Sequence, residues 1–84
     1  TLMASEDVAA RVREIMAGLF ALDPSEINDA SAIDTVEKWD SLQHVNLLMA
    51  LEQEFNIIFD VDDAASMISY PEVCEALGRY IAAK

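Results

Sequence analysis

Scarcity is the first property of this sequence. Its 84 residues contain one cysteine, Cys74, and one histidine, His44. An internal disulfide is therefore impossible, and no nucleophile–base pair or His/Cys metal cluster assembles from so few groups. Glycine-rich phosphate loops, repeats and low-complexity stretches are absent. No apolar run approaches membrane-spanning length, and the N-terminus does not read as a signal peptide. The expectation is a soluble cytoplasmic protein with no membrane insertion, although a start at Thr1 rather than Met leaves a processed or trimmed terminus open. Positive charge is scarce too: 5 basic residues face 16 acidic ones, for a net charge of −11. A surface that negative repels phosphate backbones and anionic membranes, which argues against a nucleic-acid partner. It suits partners with basic docking surfaces, although the same charge also keeps a small domain soluble.

Apolar residues, by contrast, are plentiful. At 54% of the chain they exclude a disordered acidic tail, which could not bury enough surface to order itself. The length fits one domain over residues 1–84 with a single core. Ser5 reads as an N-cap, with Glu6 and Asp7 in the first turn, ahead of Val8, Val12, Ile15, Met16, Leu19 and Phe20 at helical spacing. Asp23-Pro24 is expected to close that helix. The following stretch to Asp40 has no sustained period, and Ile27, Ile33, Val36 and Trp39 are candidates to pin it to the core. Asp40 then reads as the N-cap of a second helix, with Gln43 completing a capping box. Leu42, Val45, Leu48, Met49 and Phe55 supply its apolar face, widened by Leu47 and Leu51, and Asn56 ends it. Ile57-Ile58-Phe59 is expected as a buried connector. Asp62 or Asp63 would cap a short third helix, and Ser69 and Glu72 form the capping box of a fourth, with Pro71 in its first turn. Val73, Cys74, Leu77, Tyr80 and Ile81 continue that helix. The expected fold is all-α: a small four-helix bundle, three main helices plus a short third one, with a long loop between the first and second.

Chemistry has few places to reside. Counting a calcium loop from Asp60 puts Ala65 where glycine is needed and Pro71 where the closing glutamate belongs, so that reading fails and no metal site is expected. His44 reads as a surface or partner-contact residue and Cys74 as a small core residue. Trp39 is expected to anchor the loop as a lid where the second helix starts. Ser41 differs because it occupies the first position of a helix, where backbone N–H groups lack partners and the dipole is positive. A phosphate joined to its hydroxyl would gain roughly 0.3–1 kcal/mol there. On position alone, the stronger reading is that Ser41 merely begins a helix.

The order Asp40-Ser41-Leu42, followed by Val45, Leu48-Met49-Ala50-Leu51-Glu52 and Glu54-Phe55, resembles the second helix of acyl carrier proteins. The likeness extends over nearly the whole chain, through the first helix, the long loop, the short acidic helix and the last helix opened by Ser69. It implies a carrier with no catalysis of its own: Ser41, flanked by Asp40 and Leu42, is the attachment point of a covalent 4′-phosphopantetheine arm. A phosphopantetheinyl transferase installs the arm, and partner enzymes load and unload acyl or aminoacyl groups held on it as thioesters. Leu42, His44, Met49 and Glu52 are the expected partner contacts on a monomeric carrier. Gln43, Asn46 and Gln53 stand where fatty-acid carriers tend to have acidic residues, which implies a specialised pathway. Phe59, aligned with a smaller residue lining the acyl pocket, implies a short or polar cargo. The alternative from another class is an unmodified acidic helical interaction module, and a carrier fold that has lost the modification is disfavoured by the intact Asp-Ser-Leu.

Overall fold

The computed structural model describes residues 5–83, with side chains described from Asp7 to Ala82. The elements are α1 (Ser5–Phe20), a 3₁₀ turn (Pro24–Glu26), α2 (Ser41–Phe55), α3 (Val61–Ser66) and α4 (Tyr70–Ala83). Capping of α1 by Ser5 and Glu6 concerns side chains outside those described. Helix α1 packs against both α2 and α4.

The core follows from helical period. Val8, Val12, Met16 and Phe20 recur every four residues and line the buried face of α1, opposite Leu47, Leu51 and Phe55 of α2 and Val73, Ala76 and Leu77 of α4. Three expected details are corrected. First, α1 ends at Phe20, ahead of Asp23-Pro24. Ala21 adopts the left-handed conformation at φ 58°, and the Leu22 N–H donates back to the Ala17 carbonyl at 2.9 Å. Asp23 instead opens the 3₁₀ turn, accepting from the Ser25 N–H while Glu26 accepts from the Asp23 N–H. Second, Leu42, Val45 and Met49 are exposed and do not belong to the buried face of α2; at 3.6 residues per turn the inward stripe runs instead through Leu47, Leu51 and Phe55. Third, α3 is capped by Asp60, whose carboxylate accepts from the Asp63 N–H at 2.9 Å, not by Asp62 or Asp63. In the connector before it, Ile57 and Phe59 are buried but Ile58 points outward.

The long loop is tied down along its length. Ile27 and Trp39 are buried, Ile33 and Val36 are half-buried, and Ile33 N–H donates to the Ile68 carbonyl while Tyr70 N–H donates to the Ser31 carbonyl, both at 2.9 Å. These bonds flank a lone antiparallel bridge between Ala32 and Ser69. On the other side of that bridge, Ser69 starts α4: its hydroxyl donates to the Glu72 carboxylate at 2.8 Å and accepts from the Glu72 N–H at 3.3 Å. The long loop therefore delivers the chain to Asp40 from a fixed position.

Candidate functional site

The start of α2 is built by three ties. Asp40, in extended geometry, accepts from the Gln43 N–H at 2.9 Å, and the first helical bond runs from the His44 N–H to the Asp40 carbonyl at 2.8 Å. This is half of the expected capping box. The Gln43 side chain does not return to Asp40; its amide donates to the Leu19 carbonyl at 2.7 Å, one of the acceptors left over at the end of α1. Asn46 in turn donates to the Gln43 amide oxygen at 2.9 Å. The second tie is Trp39, which is buried, stacks on Phe20 at 5.2 Å between ring centroids, and donates its indole N–H to His44 Nδ1 at 3.1 Å. The third follows from the second. With Nδ1 accepting, the imidazole proton lies on Nε2, 3.0 Å from the Ala64 carbonyl of α3.

His44 is therefore half-buried and internally bonded at both ring nitrogens, deeper in the fold than the surface or partner-contact position expected of it. It joins the long loop, α2 and α3. Its role and that of Gln43 are not visible in the sequence, because Leu19 and Ala64 lie far from them along the chain. The only local signal is a pair of long polar side chains in the first turn of an otherwise apolar helix segment.

Ser41, the first residue of α2, is exposed. By α-helix geometry its amide and that of Leu42 have no acceptor within the helix, so the backbone beneath the hydroxyl presents positive partial charge to a phosphate. The exposure leaves room for a tethered group. A hollow of about 400 Å³ lies between the end of α1 and the long loop, lined by Phe20, Leu22, Ser31, Thr35, Val36 and Lys38 among others, but not by Ser41.

The remaining candidates are distributed as follows. Leu42 and Met49 are exposed on α2. Glu52 is half-buried and accepts from the Phe59 N–H at 2.9 Å. Glu54 pairs with Arg11 of α1 at 2.8 Å, which lowers its pKa. Cys74 sits half-buried on α4, where burial pushes its thiol pKa up and leaves little thiolate at neutral pH. Asp63 accepts from the Tyr80 hydroxyl at 2.7 Å and lies 3.3 Å from Arg79; the hydroxyl first, then the guanidinium, hold its pKa down. Among the described residues, no group of three or more His, Cys, Asp and Glu side chains converges as metal ligands would, and no helix is long and apolar enough to cross a membrane.

Comparison with known proteins adds two findings. The family described as the phosphopantetheine attachment site matches residues 10–77, a span that includes Asp40-Ser41-Leu42. Among solved structures, the acyl carrier protein from Enterococcus faecalis superposes with a TM-score of 0.77 at 20% sequence identity, covering 93% of this chain and 99% of that one. At that identity the likeness establishes the four-helix fold.

Proposed function

This chain belongs to the phosphopantetheine attachment site family, and on that premise we propose that Ser41 carries the arm. The observation that supports this most is the position of Ser41: the exposed hydroxyl at the first residue of α2, over unpaired helical N–H groups. In the installing step, Ser41 Oγ bonds to the phosphorus next to pantetheine in coenzyme A. The pyrophosphate P–O bond breaks, 3′,5′-adenosine bisphosphate leaves, and the hydroxyl proton passes to a base on the transferase. When bound, the arm supplies a thiol that holds an acyl or aminoacyl group as a thioester. The chain's own residues do no chemistry beyond this. Asp40, Gln43, Trp39 and His44 fix the start of α2 so that Ser41 faces outward.

The cargo proposed is short or polar. Phe59 is buried and meets Tyr80 edge-on at 5.1 Å, which supports a filled core beside α3 in place of a cavity for a long chain. A specialised pathway is favoured over bulk fatty-acid synthesis because α2 has no charged residue from Ser41 to Leu51.

The test is intact-protein mass spectrometry after incubation with coenzyme A and a broad-specificity phosphopantetheinyl transferase. Wild type should gain one phosphopantetheine and Ser41→Ala none. A gain in both would move the attachment elsewhere, and a gain in neither would leave an unmodified interaction module. For the cargo, acylation with a long chain should leave the NMR resonances of Phe59 and Met67 in place; large shifts there would contradict the short-cargo reading.

A further inference from the structure

We infer that the hollow at the end of α1 is a seat for a cationic cargo: an α-aminoacyl group held on the arm of Ser41 folds back into it and sets its ammonium against Glu26 and Glu37. The inference deepens the proposed function and rests on the reading of Ser41 as the attachment residue. At about 400 Å³ the hollow lies at the small end of the range that takes small molecules, roughly 300–1,000 Å³. Phe20, Leu22 and Val36 give it an apolar wall. Ser31, also on that wall, is only 6% exposed. Its Oγ accepts from the Asn28 N–H at 3.0 Å, and its own O–H meets no acceptor among the described residues. A buried donor with an unspent proton is thus available to a carbonyl oxygen.

Charge decides which ligand fits. Glu26 lines the hollow and commits one carboxylate oxygen, which accepts from the Asp23 N–H at 3.1 Å, leaving the other open. Glu37 and Lys38 line it too, and neither has a hydrogen-bond or ion-pair partner among the described residues. Phe20 and Ala21 bring the C-terminal end of α1 to the same wall, where the helix dipole is negative and no basic residue in the last turn offsets it. Two carboxylates and a helix C-terminus against one ammonium favour a cation over an anion. Lys38 is the lining residue nearest Ser41 along the chain, and three residues separate their Cα atoms by at most about 11 Å. A pantetheine arm is longer than that. Each exposed ion pair contributes no more than about a fivefold preference. The tether makes so weak a site useful, because a short flexible link presents its cargo at an effective concentration in the millimolar range.

Two-dimensional amide NMR tests the seat. Alanyl and isobutyryl cargoes differ only in an ammonium where the other has a methyl, and malonyl is an anionic counterpart. Each is loaded on wild type from its coenzyme A thioester, at about pH 6.5, where an α-amino group is charged. The alanyl form is expected to shift the amides of Leu22, Ser31 and Val36 several-fold more than the other two. Glu26→Gln/Glu37→Gln should abolish that difference with an unchanged thermal melt, since both positions are exposed and glutamine keeps an acceptor for the Asp23 N–H. Free alaninamide and isobutyramide, titrated onto Ser41→Ala, probe the hollow without the arm, and alaninamide should bind about fivefold tighter. Equal shifts from alanyl and isobutyryl, a larger response to malonyl, or alanyl shifts that survive Glu26→Gln/Glu37→Gln would overturn the seat and leave Ser41 as the attachment site. Binding of free alaninamide with no response to tethered alanyl would also overturn it, reducing the hollow to a site for free amines. No loading of wild type from any thioester would overturn the attachment and the seat together.

Discussion

Trp39 combines two functions in one side chain: its ring stacks on Phe20 and its N–H fixes the tautomer of His44. The two can be separated. Trp39→Phe keeps the aromatic packing and leaves His44 Nδ1 without its donor, so it should destabilise the protein by about 1 kcal/mol, the low end of the cost of an unsatisfied polar atom because His44 is only half-buried. Urea denaturation measures the difference. Ala21 presents the opposite opportunity. Held at φ 58°, it strains against its own Cβ, and glycine removes that strain at some cost in unfolded-chain entropy. Ala21→Gly is expected to raise stability by up to about 1 kcal/mol in the same assay. At this scale the sequence was partly legible. Ser5 aside, the caps Asp40, Asn56 and Ser69 declare themselves by residue type, and Trp39 as a loop anchor follows from its size and setting. The engagement of Gln43 with Leu19 and of His44 with Ala64 leaves no local trace beyond two polar side chains in the first turn, because it depends on how helices meet.

Helix α3 shows how an element too short to stand alone is kept in place. Six residues fall well below the length at which a helix is stable in isolation. The Asp60 cap closes its first turn, and Tyr80 of α4 holds it from outside: its hydroxyl accepts from the Asp60 N–H at 2.9 Å and donates to Asp63. Tyr80→Phe should therefore lower the melting temperature and loosen α3 before the rest of the bundle. The effect carries a pH signature. The folded-state pKa of Asp63 lies below its unfolded value, so its stabilisation is fully present above the unfolded carboxylate pKa of about 4 and is lost as pH falls through the folded value. The difference in melting temperature between wild type and Tyr80→Phe should accordingly be largest near neutrality and shrink below about pH 4. Composition pointed to a short acidic helix here, but two neighbouring aspartates competed for the cap, and only the backbone geometry after Phe59 selects Asp60. The exposed ridge of α2 was misread for a related reason. That helix has apolar residues on more than one side, and periodicity alone does not tell which side meets α1.

Over the whole molecule, sixteen acidic residues on a small bundle repel one another, and Arg11 and Arg79 offset only part of this locally. The melting temperature should rise measurably between about 0.01 and about 1 M sodium chloride, as screening shortens. A flat response in calorimetry would show that the repulsion is already dispersed. The number, order and approximate limits of the helices were legible because each carries its own period and caps. How the long loop closes against the rest was not, since that closure joins segments far apart in the chain.

The bridge between Ala32 and Ser69 has a kinetic corollary. It fastens the chain into a ring that encloses α2 and α3 entirely, with Ile33 and Tyr70 contributing the two amides of the clasp. Closing so large a ring is entropically slow, and its contacts reward the chain only once both ends have arrived. The two amides should therefore lose hydrogen-exchange protection together, in one opening event with a shared free energy, although one begins in the long loop and the other in the last helix.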